Sequence, residues 1–180
     1  MLSQVLTLIG VVVGAAMSYL VGALHDRTRW QREQSARWDG TRLQAYSDYG
    51  QAIKECIVAY QRLAASRGLT TDPTPVEPTD DALEQAAKAE LRRAALTEPL
   101  RLLADSGTAE AVRQVNDAVW HLEWLARGQL AGDATVWDQT YNRYRAARRT
   151  YYEKARASLH VPGEVIAERA TWPPQWRANS

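Results

Sequence analysis

Residues 111–128 read AVRQVNDAVWHLEWLARG, and their spacing decides the fold class. Val112, Val115, Val119, Leu122 and Ala126 fall at steps of 3, 4, 3 and 4. That is one face of a 3.6-residue helix, and Gly128 follows as a C-terminal cap. Trp120 and Trp124 add a second apolar strip, which predicts a helix buried on more than one side.

The same periodicity extends in both directions. After the loop Gln129–Gly132, Asp133 can cap a helix over about 134–159 with the face Trp137, Tyr141, Tyr144, Tyr151, Ala155 and Leu159. Pro162-Gly163 ends it. Upstream, Asp105 or Ser106 can cap the central helix, and Asp81-x-x-Glu84 has the form of a capping box. That box opens a helix through Leu83, Ala87, Leu91, Ala94 and Ala95, which Pro99 should kink or break near Thr97. Residues 69–80, LTTDPTPVEPTD, carry three prolines and form a loop. Ahead of it Leu43, Tyr46, Tyr49, Ile53, Cys56, Ile57, Tyr60, Leu63 and Ala64 stripe a long helix, roughly 26–67. Gly40 and Gly50 are its soft spots and Arg67-Gly68 its stop.

These elements define an all-α protein, with a bundle of three to four helices over 26–160 that contains the loop 68–80. The first body helix should stack on the third and fourth. The expected core is Tyr46, Ile53, Ile57, Tyr60, Leu91, Val112, Val115, Val119, Leu122, Tyr144 and Tyr151. Residues 161–180 read as a short turn and an extended tail, Trp-Pro-Pro-Gln-Trp at 172–176. No repeat of 20–50 residues occurs, which excludes a solenoid.

Composition agrees. The chain has 180 residues, 46% hydrophobic and 24% charged, enough for one core and too few for two. Net charge is +1, which argues against a nucleic-acid binder working by bulk charge. A single cysteine, Cys56, excludes an intramolecular disulfide and any CxxC site.

A mean hydropathy of −0.43 hides one apolar segment. Leu2–Leu24, LSQVLTLIGVVVGAAMSYLVGAL, is 23 residues without a charge, long enough to cross a bilayer as a helix. A cleaved signal peptide competes, with Val21-Gly22-Ala23 as its cleavage site. Against it, Met1–Gln4 carries no Lys or Arg and the apolar run exceeds a usual signal core. Residues 1–25 are therefore expected to be a transmembrane anchor. Arg27, Arg29, Arg32, Arg37 and Arg42 follow the span, outweighing Asp26, Glu33 and Asp39. The expected location is the cell membrane, single-pass, with the N-terminus outside and the body cytoplasmic. Gly10, Gly14, Ser18 and Gly22 recur every four residues along the span. They read as a helix-association face, or as the ordinary small-residue richness of membrane helices.

Charge along the body is uneven. Residues 68–110 carry a net −5, while 25–67 and 133–180 each carry +3. The acidic second helix is expected against its basic neighbours, at about 0–1 kcal/mol per surface pair. The segment 141–156, YNRYRAARRTYYEKAR, concentrates Arg143, Arg145, Arg148, Arg149, Lys154 and Arg156 among four tyrosines. Basic groups interleaved with aromatics suit a phosphate backbone or an anionic membrane surface. An amphipathic helix with tyrosines inward and arginines in solvent accounts for the same pattern.

His25, His121 and His160 have no metal-ligand neighbour at useful spacing, and His121 and Glu123 point about 200° apart on a helix. Cys56 sits within an apolar stripe, where a buried thiol is the default. No phosphate loop, GxSxG or HExxH occurs, so no catalytic residue, metal or cofactor is assigned.

Three segments, MLSQVLTLIGVVVGAAMSYL, AVRQVNDAVWHLEWLARG and YRAARRTYYEKARASLHVPG, together resemble a group of small, N-terminally membrane-anchored helical proteins of actinobacteria of the Streptomyces type. Some of these carry names taken from plasmid-spread or kil proteins. The resemblance implies an anchored actinobacterial membrane protein and transfers no functional residue. The expected function is a membrane-tethered, non-enzymatic interaction or scaffold protein that self-associates through its span, with membrane lipid as a partner. The alternative is a membrane-bound nucleic-acid partner using the basic fourth helix.

Overall fold

A computed structural model of the chain describes residues 38–163 and 165. Among the described residues there are four helices and no strand: α1 over residues 38–66, α2 Asp80–Leu103, α3 Ser106–Ala126 and α4 Ala134–Ser158. The expected span, its stripe Gly10, Gly14, Ser18 and Gly22, and the tail beyond residue 165 lie outside them. No helix among the described residues is long and apolar enough to cross a membrane.

The helix ends follow local chemistry. Asp105 caps α3 by accepting from the Thr108 amide at 2.7 Å, and Asp133 caps α4 from the Val136 amide at 2.9 Å. The cap of α2 is Thr79, whose Oγ1 accepts from the Ala82 amide at 3.3 Å, so the helix starts two residues before the expected Asp81 box. Three helices close with the same paired bonds. The Leu69 amide reaches the Ala64 carbonyl and Gly68 reaches Ala65; Gln129 and Gly128 bond to Trp124 and Leu125; Val161 and His160 bond to Arg156 and Ala157. The turn residue has positive φ each time: Gly68 at 73°, Gly128 at 72°, and His160 at 54°.

Contacts set the topology. Arg42 Nε donates to the Leu103 carbonyl at 3.0 Å while Arg92 meets Glu55 at 3.1 Å, so α2 runs antiparallel to α1. Ser158 Oγ donates to Tyr46 Oη at 3.2 Å while Tyr152 Oη lies against Gly50, so α4 also opposes α1. Tyr49 lies against Val112 near the start of α3, and Arg67 lies against Gly128 just past its end, so α3 runs parallel to α1. The order is up-down-up-down. α3 and α4 pack along their length, whereas α2 touches α3 only slightly. As expected, the first body helix meets the third and fourth, and the core holds Tyr46, Ile53, Ile57, Tyr60, Val112, Val115, Val119, Leu122, Tyr144 and Tyr151.

Four expectations need correction. Leu91 is not core: it is 70% exposed, because α2 turns Ala86, Arg93, Thr97 and Leu100 inward instead of its leucine and alanine stripe. Pro99 does not end α2, which continues to Leu103 with one backbone donor missing. Trp120 and Trp124 stay 43% and 49% exposed, since the buried arc of α3 runs through Ala111, Val115, Ala118 and Leu122. Gly50 marks a close approach: a Cβ there would stand 2.9 Å from Tyr152 Oη on α4.

Candidate functional site

The polar residues that α2 turns inward form a cluster that sequence reasoning missed. Arg93 is 1% exposed, and its Nε donates to Glu90 Oε2 at 2.8 Å, one helical turn away, with Nη2 on Oε1. Its Nη1 donates to Asn116 Oδ1 on α3, which also accepts from Tyr49 Oη on α1 at 2.7 Å. Glu90 collects further donors: Trp120 Nε1 at 2.9 Å, Tyr60 Oη at 3.4 Å and Cys56 Sγ at 4.0 Å. The Arg93 guanidinium lies 5.4 Å from the Trp120 ring centroid. Helices α1, α2 and α3 thus converge on one carboxylate and one amide.

Burial dominates the electrostatics of the thiol and phenols in this cluster. Burial, reinforced by the Glu90 charge, pushes the Cys56 thiol up to about 12. Burial also raises the Tyr49 and Tyr60 phenols, against the opposing pull of Arg93. For Arg93 itself burial acts to lower the pKa, but the hydrogen bond and charge of Glu90 outweigh it, and the net shift is upward. Thiol and phenols keep their protons and the guanidinium keeps its charge. The cluster therefore orients helices and supplies no activated nucleophile. One spacing could have revealed it: Ala86, Glu90, Arg93, Thr97 and Leu100 step 4-3-4-3, a helix face with an ion pair at its middle.

The residues singled out for anion binding do not make one face. At 100° per residue, Arg143 and Lys154 flank one side of the buried Tyr144, Tyr151 and Ala155, while Arg145, Arg149 and Arg156 lie on the other, with Arg149 exposed and Arg145 and Arg156 half-buried. Arg148 sits at the other edge, with its guanidinium 5.3 Å from the Tyr152 ring centroid. Arg149 pairs with Glu153 at 3.5 Å and Arg156 donates to the Pro162 carbonyl at 2.6 Å. Arg149, Glu153, Arg156 and Val161 line a hollow of about 430 Å³. The tyrosines divide between Tyr144 and Tyr151, buried, and Tyr141 and Tyr152, half-buried. The ion pair between α1 and α2 also reverses the expected polarity, since its basic member, Arg92, lies on the acidic helix.

Of the histidines, His121 is half-buried on α3 and His160 occupies the turn after α4. Among the described residues no three His, Cys, Asp or Glu side chains are grouped to hold a metal ion. A groove of about 570 Å³ between α1 and α2 is floored by Val58, Ala59 and Ala89 and rimmed by Lys54, Arg62 and Gln85. No known protein family, characterised protein or solved structure matches the chain.

Proposed function

We propose that the chain is a membrane-tethered, non-enzymatic interaction or scaffold protein, anchored by residues 2–24 with its helical bundle on the cytoplasmic side. The observation that carries this reading is the uncharged 23-residue segment placed directly ahead of a polar, arginine-flanked body. The bundle adds support. Its buried thiol and the phenols of Tyr49, Tyr60 and Tyr151 hold their protons, while Leu91, Leu102, Trp120 and Trp124 stand at the surface, where apolar side chains favour partner contact. Association of copies runs through Gly10, Gly14, Ser18 and Gly22, whose small side chains allow close backbone packing in lipid.

Membrane fractionation with alkaline carbonate extraction, together with reporter fusions at residue 180, tests the anchor and its direction. Recovery in the soluble fraction overturns it. Gly14→Ile should separate the spans without affecting insertion, read by a membrane two-hybrid assay; unchanged association removes the span as the contact. Steeply salt-dependent DNA binding, lost in an Arg145, Arg148 and Arg149→Glu variant, would replace this reading with a nucleic-acid partner.

A further inference from the structure

Helix α2 mixes polar and apolar residues on both its faces. The face toward α1 and α3 carries the Glu90–Arg93 ion pair. The opposite face carries the row Glu84, Lys88, Leu91, Ala95, Glu98 and Leu102, stepping 4-3-4-3-4, and every member is exposed. Leu91 is 70% and Leu102 87% exposed. This row has no partner within the described bundle, so its two leucines are left in solvent. From the row the structure assigns a second self-association surface: α2 pairs with α2 of another copy in antiparallel register, the twofold axis crossing at the level of Arg93.

The charge order selects this occupant and this direction. Reversed about residue 93, the row maps onto itself. Lys88 then faces Glu98 of the second copy, Leu91 faces Ala95, and Glu84 faces Leu102 with Arg101 beside it. Two opposite-charge contacts at each end bracket an apolar centre. In parallel register Glu84 would meet Glu84, and Lys88 would meet Lys88, which like charges oppose. In the single copy these charges are satisfied only along their own helix, Lys88 with Glu84 at 2.6 Å and Arg101 with Glu98 at 3.5 Å, all highly exposed. Pairing exchanges these for contacts between copies while covering two leucines on each. The small Ala95 opposite Leu91 lets the helices approach closely. A single helix pair is a small interface, so its strength, though not its geometry, rests on the membrane tether of the proposed function.

The test is disulfide trapping in the full chain in bilayers, with Lys88→Cys in one population and Glu98→Cys in another. Facing positions should cross-link in the mixture. Each variant alone should not, because its two copies of the site stand about 15 Å apart along the helices. Adding Leu91→Glu should lower the mixed cross-link about tenfold. Cysteine replaces the very charges invoked, so charge reversal supplies a second measurement. Lys88→Glu and Glu98→Lys should each weaken association seen by energy transfer between labelled copies, and the two together should restore it. A mixture that fails to cross-link, or same-position dimers as abundant as mixed ones, overturns the proposal; so does failure of the double reversal to rescue. All of this is repeated with Gly14→Ile, where the α2 cross-link should persist whatever becomes of the span; its loss there overturns α2 as an independent contact.

Discussion

Glu90 and Arg93 stand one turn apart on α2 and are joined by two hydrogen bonds, so that this helix presents an ion pair to the bundle interior where its neighbours present tyrosine, isoleucine and valine. Since Arg93 is almost fully buried, removing its partner leaves a charge without compensation. Glu90→Ala should cost about 3–5 kcal/mol, and the pair Glu90→Leu with Arg93→Met considerably less than the single change. Urea denaturation of the three proteins measures this. A double variant less stable than Glu90→Ala would show that the pair contributes more than mutual compensation.

The inward face of α2 can be read by truncation. Leu100→Ala removes a buried side chain and should cost about 2–5 kcal/mol. Leu91→Ala, at a position 70% exposed, should stay within about 0.5 kcal/mol in the monomer. Equal costs at the two positions would mean that α2 is rotated about its axis.

Alkaline pH should weaken the fold. Tyr49, Tyr60 and Tyr151 are raised from 10.0, and Cys56 from 9.0 to about 12, chiefly by burial. Below pH 9 all four are protonated in both native and unfolded chains, and their contribution is fully present. Above it the unfolded chain sheds first the Cys56 proton and then, around pH 10.0, those of the three phenols, all of which the native chain retains. Stability then falls by about 1.4 kcal/mol per pH unit per group, until each titrates in the native state. Urea midpoints at pH 8, 9.5 and 11 check the slope, and Tyr151→Phe should reduce it. A level midpoint across that range counts against buried phenols.

His160 adopts positive φ at the end of α4, in the position that Gly68 and Gly128 hold after α1 and α3. A side chain there costs roughly 1 kcal/mol, so His160→Gly should raise stability by about 0.5–1 kcal/mol. Gly128→Ala and Gly68→Ala should each do the reverse, because both positions hold positive φ, while the Arg67 guanidinium beside Gly128 ends a flexible side chain that can swing aside. Differential scanning calorimetry of the three variants gives the signs directly.

Helix number, caps and stops were legible because each has a local cause: Asp105 and Asp133 as caps, Gly68 and Gly128 as turns, and the 3-4-3-4 stripe of α3. The orientation of α2 was not. Hydrophobic periodicity assigns Leu91 to the core, and it has no means of expecting that Glu90 and Arg93 neutralise each other inside it. Nor does it register that Asn116, one turn along from Val112, waits on α3 for two donors from other helices. The basic residues of α4 were legible as a composition and not as a surface, because their spacing of one, two, three and five distributes them around the helix. Gly50 read as a weakness when it is a clearance for Tyr152.

The closing of Cys56 by α2 has a kinetic consequence. The thiol belongs to α1, yet part of its cover is the Glu90 carboxylate, carried by the helix with the least apolar inner face and only slight contact with α3. Helix α2 should therefore detach as a unit at lower free energy than global unfolding. Each such excursion would uncover the thiol while α1, α3 and α4 remain packed. The single cysteine becomes a built-in clock for that excursion, its alkylation rate counting how often the latch at Glu90 lets go.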